Sequence, residues 1–131
     1  MTQMRIGDAA ALLGVSDDTV RRRVDAGRLP SHHDEAGRLV VEGADVAAVA
    51  QEVARPAPVG VVADESARNR MRGIVTRVLT DTVMAQVELQ CGPFRIVSLM
   101  SREAADELGL EVGTVAVASI KSTNVVVGVP R

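Results

Sequence analysis

Hydrophobic periodicity changes once along this 131-residue chain, and two prolines stand at the change. Upstream, Ile6, Ala9, Ala10 and Leu13 recur at the spacing of one helix face; downstream, short β-branched stretches follow one another with a period of two. Between them lies Arg55-Pro56-Ala57-Pro58-Val59-Gly60, where each proline removes the amide a helix needs and favours extended backbone. The segment reads as a semi-rigid spacer. Two small domains are therefore expected, residues 1–54 and residues 66–131, joined by a Pro-containing linker at 55–65.

Composition removes several function classes. Phe94 is the lone aromatic residue, so a surface that stacks unpaired bases on rings has nothing to stack them with. Cys91 has no partner for an internal disulfide, and with the adjacent His32 and His33 it gives no zinc-ligand spacing, so no metal cation is expected. Arg5, Asp8, Asp17 and Asp18 interrupt any signal-like apolar run, and no stretch approaches a membrane span. A reducing, cytoplasmic setting with no membrane partner is expected. No serine–histidine–acid arrangement and no P-loop are present, and Cys91 beside Gly92-Pro93 reads as a turn residue; the expectation is a non-enzyme.

Net charge is −2, unevenly spread. Residues 1–54 carry six arginines against nine carboxylates, and residues 66–131 carry eight basic groups against six acidic ones. Bulk positive charge does not hold this chain on nucleic acid, so any such binding must be local.

The first half reads as helices. Gly14 ends the opening helix; Ser16 then caps a second, with Asp17 and Asp18 in its first turn and Arg21, Arg22 and Arg23 later, running to about Ala26 with Gly27 beyond. Val20 and Val24 face the first helix. Leu29 to His33 and Arg38 to Val41 flank Asp34-Glu35-Ala36-Gly37 as a small hairpin, and Val46, Val49 and Val53 mark a third helix. The run RIGDAAALLGVSDDTVRRRVDAGRLP, followed by a hairpin containing Gly37-Arg38, resembles the winged helix-turn-helix of MerR-like and excisionase-like DNA-binding domains over residues 4–54. That resemblance implies Thr19, Arg21, Arg22 and Arg23 at the major groove or its phosphates, with Arg28 and Arg38 on the hairpin side. Guanidinium groups suit both phosphate and guanine edges. Against it stand the ordinary reading of a charge run as a solvated face and the acidic balance of this half, so binding is expected to be weak per copy and strengthened by several copies on one duplex. His32 and His33 read as a solvated pair.

The second half offers strands at Ile74 to Thr80, Val83 to Gln90, Phe94 to Ser98, Val115 to Lys121 and Val125 to Val129, with one helix from Ser101 to Leu108. That order suggests a small OB-like β-barrel, and the whole chain an α+β fold. With one ring and mainly small apolar side chains, such a barrel is marginal alone, and the valine-rich last stretch invites pairing between copies. A homo-oligomer, a dimer or a trimer of dimers, is expected.

Ser66-Ala67-Arg68-Asn69, then Gly73, Ser101-Arg102-Glu103-Ala104, Leu108-Gly109-Leu110 and Ile120-Lys121-Ser122 resemble the molybdate-binding Mop or TOBE domains of molbindins and molybdate-responsive regulators, over about residues 65–129. The resemblance implies a tetrahedral oxyanion, molybdate or tungstate, held between subunits by Ser66, Arg68, Ser101, Lys121 and Ser122, with Asn69 in the same tetrad, and single-barrel relatives assembling as trimers of dimers. The chemistry agrees: a dianion with four acceptor oxygens needs cations and a shell of N–H and O–H donors. Singly, each residue has a plainer role as a cap, a turn or edge protection. Ala104 departs from relatives that offer a hydroxyl there. The leading expectation is an oxyanion-responsive regulator that binds double-stranded DNA. The alternatives are a cytoplasmic molybdate storage protein whose helical half serves assembly or docking, and an architectural DNA-binding factor whose barrel only multimerises.

Overall fold

A computed structural model describes residues 2–60 and 65–131; the end of the expected linker, residues 61–64, lies outside the described residues. The chain divides into two compact units, Met1–Arg55 and Pro56–Arg131.

In the first unit a left-handed residue makes the tight connection between two helices possible. Helix α1 (Ile6–Leu13) ends at Gly14, whose φ of 68° only glycine adopts without strain, and whose amide closes on the Ala10 and Ala11 carbonyls. Helix α2 (Asp17–Asp25) starts three residues later, capped by the Ser16 hydroxyl, which accepts from the Thr19 amide. The stripe read from sequence is the buried face: Ile6, Ala9 and Ala10 pack with Val20, Leu29, Val41, Val46 and Val49, while Leu13, Val24 and Val53 flank them. Helix α3 (Gly43–Val53) supplies Val46 and Val49. The hairpin is present as β2 (Ser31–His33) and β3 (Leu39–Glu42), its turn fixed by Asp34 Oδ1, which accepts from the Ala36 and Arg38 amides at 2.9 Å each. One element was not expected: β1 (Gln3–Arg5) joins the other side of β3, giving the sheet order β1-β3-β2. Three residues carry too little periodicity to announce a strand. The unit is a winged helix-turn-helix.

The second unit is a curled antiparallel sheet, the half-barrel of an OB-like fold. Its strands are β4 (Asn69–Thr80), β5 (Met84–Cys91), β6 (Phe94–Ser101) and β7 (Val115–Ile120), in the order β6-β5-β4-β7, with α4 (Arg102–Glu107) between β6 and β7. A bulge between Val75 and Arg77 bends β4, so that its first part pairs with β7 and its second with β5. Val75, Val87, Leu89 and Cys91 form the core, with Met71, Val78, Ile96, Met100, Leu110 and Ala116 around it. Gly73 is required where the strands press closest: a Cβ there would stand 2.5 Å from Cys91 Sγ and 2.6 Å from the Gln90 carbonyl oxygen.

Two expectations need correction. The first strand begins at Asn69 rather than Ile74, because the polar Arg70 and Arg72 that obscured it point to the outer face, paired in register with Ser119 and Val117. The fifth strand is not formed: Val125 is extended (φ −91°, ψ 121°), yet residues 125–129 pair with no strand among the described residues. Strand propensity does not supply the partner backbone that a ladder needs.

Candidate functional site

On the first unit, the residues expected at DNA divide into free and engaged groups. Arg21 and Arg22 are exposed on α2, and Arg28 is exposed just beyond it; none makes a side-chain hydrogen bond or ion pair among the described residues. Arg23 instead faces α3, with Nη2 3.6 Å from Glu52 Oε1. Thr19 is half-buried, its hydroxyl 2.9 Å from that of Ser16. Arg38 is held at the hairpin turn, its Nε donating to Asp34 Oδ2 at 3.1 Å. Of the two acids that open α2, Asp17 sends its carboxylate toward α1: a Cβ on Gly7 would lie 3.7 Å from Oδ2. His32 is tied into the sheet, its Nε2 accepting from Gln3 Nε2 at 3.0 Å, 3.8 Å from Glu42 Oε1.

On the second unit, strand register decides which candidate ligands meet. Asn69 opens β4 opposite Ile120, the last residue of β7, and its Nδ2 donates to the Ile120 carbonyl oxygen at 3.1 Å. Antiparallel pairing therefore brings the segment just ahead of β4, which carries Ser66 and Arg68, to the same end of the sheet at which Lys121 and Ser122 follow β7. All four are exposed, and neither Arg68 nor Lys121 makes an ion pair among the described residues. Ser122 starts a single 3₁₀ turn, Ser122–Asn124, that holds this end of the strand. Two cations and two hydroxyls at one sheet end make a donor set suited to a doubly charged acceptor.

Ser101 is elsewhere. It ends β6 opposite Met84 and caps α4, its hydroxyl accepting from the Ala104 amide at 3.1 Å. That is the opposite end of the sheet, roughly 35 Å of strand path from Asn69 at about 3.3 Å per residue. One copy does not bring Ser101 to Arg68 and Lys121.

Sequence reasoning missed the support behind the SARN tetrad. Arg70 Nε donates to Glu65 Oε1 at 2.7 Å, and the Ser119 hydroxyl donates to the same oxygen at 2.9 Å. Residues 65, 70 and 119 share no spacing signal; only the Arg70–Ser119 register brings them together. A second unanticipated pair, Glu88 with Arg95, explains the buried carboxylate on β5. Cys91 is buried, which pushes its thiol above the ordinary value and keeps it protonated. No group of three metal-ligating side chains occurs among the described residues. No helix among them is long and apolar enough to cross a membrane.

Two family models match this chain: a helix-turn-helix domain over residues 4–53 and a TOBE domain over residues 65–127. A probable molybdenum-pterin-binding protein from Haemophilus influenzae is 43% identical over 65 residues, covering 49% of this chain and 94% of that protein. Molybdenum-pterin-binding protein 3 from Clostridium pasteurianum is 38% identical over 63 residues, covering 47% and 93%. Among solved structures, the cytoplasmic molybdate-binding protein ModG, in a form with molybdate bound, is 42% identical, covers 52% of this chain and 49% of that one, and superposes with a TM-score of 0.50. These relatives are named for binding rather than for a reaction. The chain belongs to the TOBE-domain family, its sheet half of the molbindin type, with a helix-turn-helix domain ahead of it.

Proposed function

We propose that this protein is a cytoplasmic, non-enzymatic regulator that binds molybdate or tungstate through its sheet half and double-stranded DNA through its helical half. The observation that supports the anion reading is the Asn69–Ile120 register, which puts the segments carrying Ser66 and Arg68 and carrying Lys121 and Ser122 at one end of the sheet. A tetrahedral dianion takes charge-assisted hydrogen bonds from both cations, while Ser66, Ser122 and nearby amides fill its remaining acceptor sites. Asn69 holds the tetrad to Ile120 through one N–H of its side-chain amide, and its second N–H is left for the anion.

The pocket is completed between copies. Ser101 and the capped start of α4 lie at the far sheet end, so they reach an anion at Arg68 only from a second subunit. The unpaired Val125–Val129 segment favours the same assembly, since β-branched side chains exposed at 45–94% gain from pairing with a neighbour's open strand edge. Anion binding then stabilises the oligomer by mass action. Of the cations expected at DNA, Arg21, Arg22 and Arg28 have no ion-pair partner among the described residues, and Arg38 lies on the wing; Arg23 serves mainly to hold α2 to α3 through Glu52. Several copies on one duplex offset the acidic balance of this unit.

Calorimetry with molybdate, tungstate and sulfate tests the first half of the reading; no heat with any of the three defeats it. A DNA-shift titration with and without molybdate tests the switch, which requires that the anion change DNA affinity. The acidic charge of the helical half favours a second reading, molybdate storage with that half docking another protein. Steep weakening of DNA binding with salt, abolished by replacing Arg21 and Arg22 with alanine while anion uptake persists, rules storage out.

A further inference from the structure

We infer that Glu65 is a positioning residue for the anion site, clamped to two strands so that Ser66 and Arg68 project in fixed directions. The inference rests on the oxyanion reading above and concerns a residue outside the donor set. Arg70 and Ser119 face each other in register across β4 and β7, and both donate to Glu65 Oε1, at 2.7 and 2.9 Å. Arg70 Nη2 also donates to the Glu65 main-chain oxygen at 3.3 Å, so backbone and side chain are held together. The two side chains are about one-third exposed, sheltered enough for the pair to keep its geometry.

The next anchors follow at alternate residues. Ala67 is buried at 7% exposure, and Asn69 is bonded to the Ile120 carbonyl oxygen. Residues 65, 67 and 69 thus fasten the segment by an ion pair, a buried methyl group and a hydrogen bond at the strand end. Ser66 and Arg68, between them, are left exposed at the sheet end where Lys121 follows β7. Removing Glu65 has two opposed consequences for an anion. It deletes a negative charge near the site, which favours binding, and it releases the backbone that carries Ser66 and Arg68, which disfavours binding because that segment must then be ordered by the ligand. Deleting Glu65 also leaves Arg70 unpaired, a gain in positive charge that by itself favours the anion; at one-third exposure solvent screens that gain, and the loss of order dominates.

The experiment is calorimetric titration of the full chain with molybdate, using wild type, Glu65→Ala, Ser119→Ala, Arg68→Lys and the double variant Glu65→Ala/Arg68→Lys. Glu65→Ala should weaken binding about fivefold to tenfold and Ser119→Ala about threefold, with the melting temperature of the free protein nearly unchanged. Because Glu65 acts through Arg68, its effect should shrink on the Arg68→Lys background, a non-additivity that general destabilisation does not produce. Charge reversal gives a rescue: Glu65→Arg with Arg70→Glu should restore binding that either single reversal loses. Wild-type binding that survives both Glu65→Ala and Ser119→Ala unchanged or tightened overturns the positioning role alone. Strictly additive losses do the same. A wild-type chain that releases no heat with molybdate overturns the oxyanion reading and this role with it. If Glu65→Ala does not fold, Ser119→Ala carries the test.

Discussion

The two halves treat their apolar side chains in opposite ways. In the helical unit Ile6, Ala9, Ala10, Val20, Leu29, Val41, Val46 and Val49 are all at most 5% exposed, and the basic residues stand outside that closed core. In the sheet unit Phe94, Leu99, Val126, Val127 and Val129 are 65–94% exposed, and the buried cluster is only Val75, Val87, Leu89 and Cys91. A unit that finishes its own core can act as a free-standing reading head. One that leaves a valine tail and two open strand edges has apolar surface and unpaired backbone still to cover. The candidate ligands follow the same division, with Arg68 and Lys121 at one end of the sheet and Ser101 at the other.

The largest effect should come from removing the tail. Ending the chain at Asn124 should convert an oligomer into a species that sediments as a monomer, and molybdate binding should go with it; identical sedimentation of the two chains would break the contrast between the halves. Next, Leu29→Ala empties one of the largest fully buried positions of the helical unit, at about 2–5 kcal/mol. Heat capacity traces should then show an early transition for that unit alone, with molybdate affinity intact. Arg68→Ala and Lys121→Ala reverse the pattern. Each should lower molybdate affinity about tenfold to hundredfold, the loss of a charge-assisted hydrogen bond worth about 1.5–3 kcal/mol, and leave the Leu29-dependent transition unmoved.

The same contrast explains what the sequence made legible. Helix faces are local: Ile6, Ala9 and Ala10 announce a buried stripe, and Gly14 and Ser16 announce the turn, so the helix-turn-helix could be placed nearly residue by residue. Alternation in β5 was equally plain, with Ala85, Val87 and Leu89 inward. Register is not local. That Asn69 pairs with Ile120, that Arg70 and Ser119 meet over Glu65, and that Ser101 falls at the far end depend on which strands are neighbours. The candidate ligands could therefore be named from a family pattern, while their distribution over two sheet ends, and the clamp behind them, waited for the strand order. The valine tail misled for a related reason: its composition is that of a strand, and composition does not supply the neighbouring backbone that a ladder needs.

The smallest effect tests how far the sheet unit does hold itself together. Asp81, in the turn between β4 and β5, has its carboxyl held below the ordinary value of 3.8, chiefly because the Met84 amide, and then the Val83 amide, donate to it, with Arg102 adding a favourable charge. Its Oδ1 accepts those bonds at 2.7 and 2.8 Å. A carboxylate with a folded pKa below its unfolded one contributes its full stability above the unfolded value, and loses it as pH falls through the folded value. The contribution should thus be complete above about pH 5 and fade below about pH 4. In Asp81→Asn the side-chain oxygen still accepts from both amides, so the hydrogen bonds persist and only the charge is lost. The melting temperature of the variant should lie slightly below wild type at neutral pH, and the two should converge as the solution is acidified. A gap that stays constant from neutral to acid would show that the ionisation of Asp81 is not the source of the difference. A gap too small to measure would mean that the two hydrogen bonds to Oδ1, which both proteins keep, hold the turn without help from the charge.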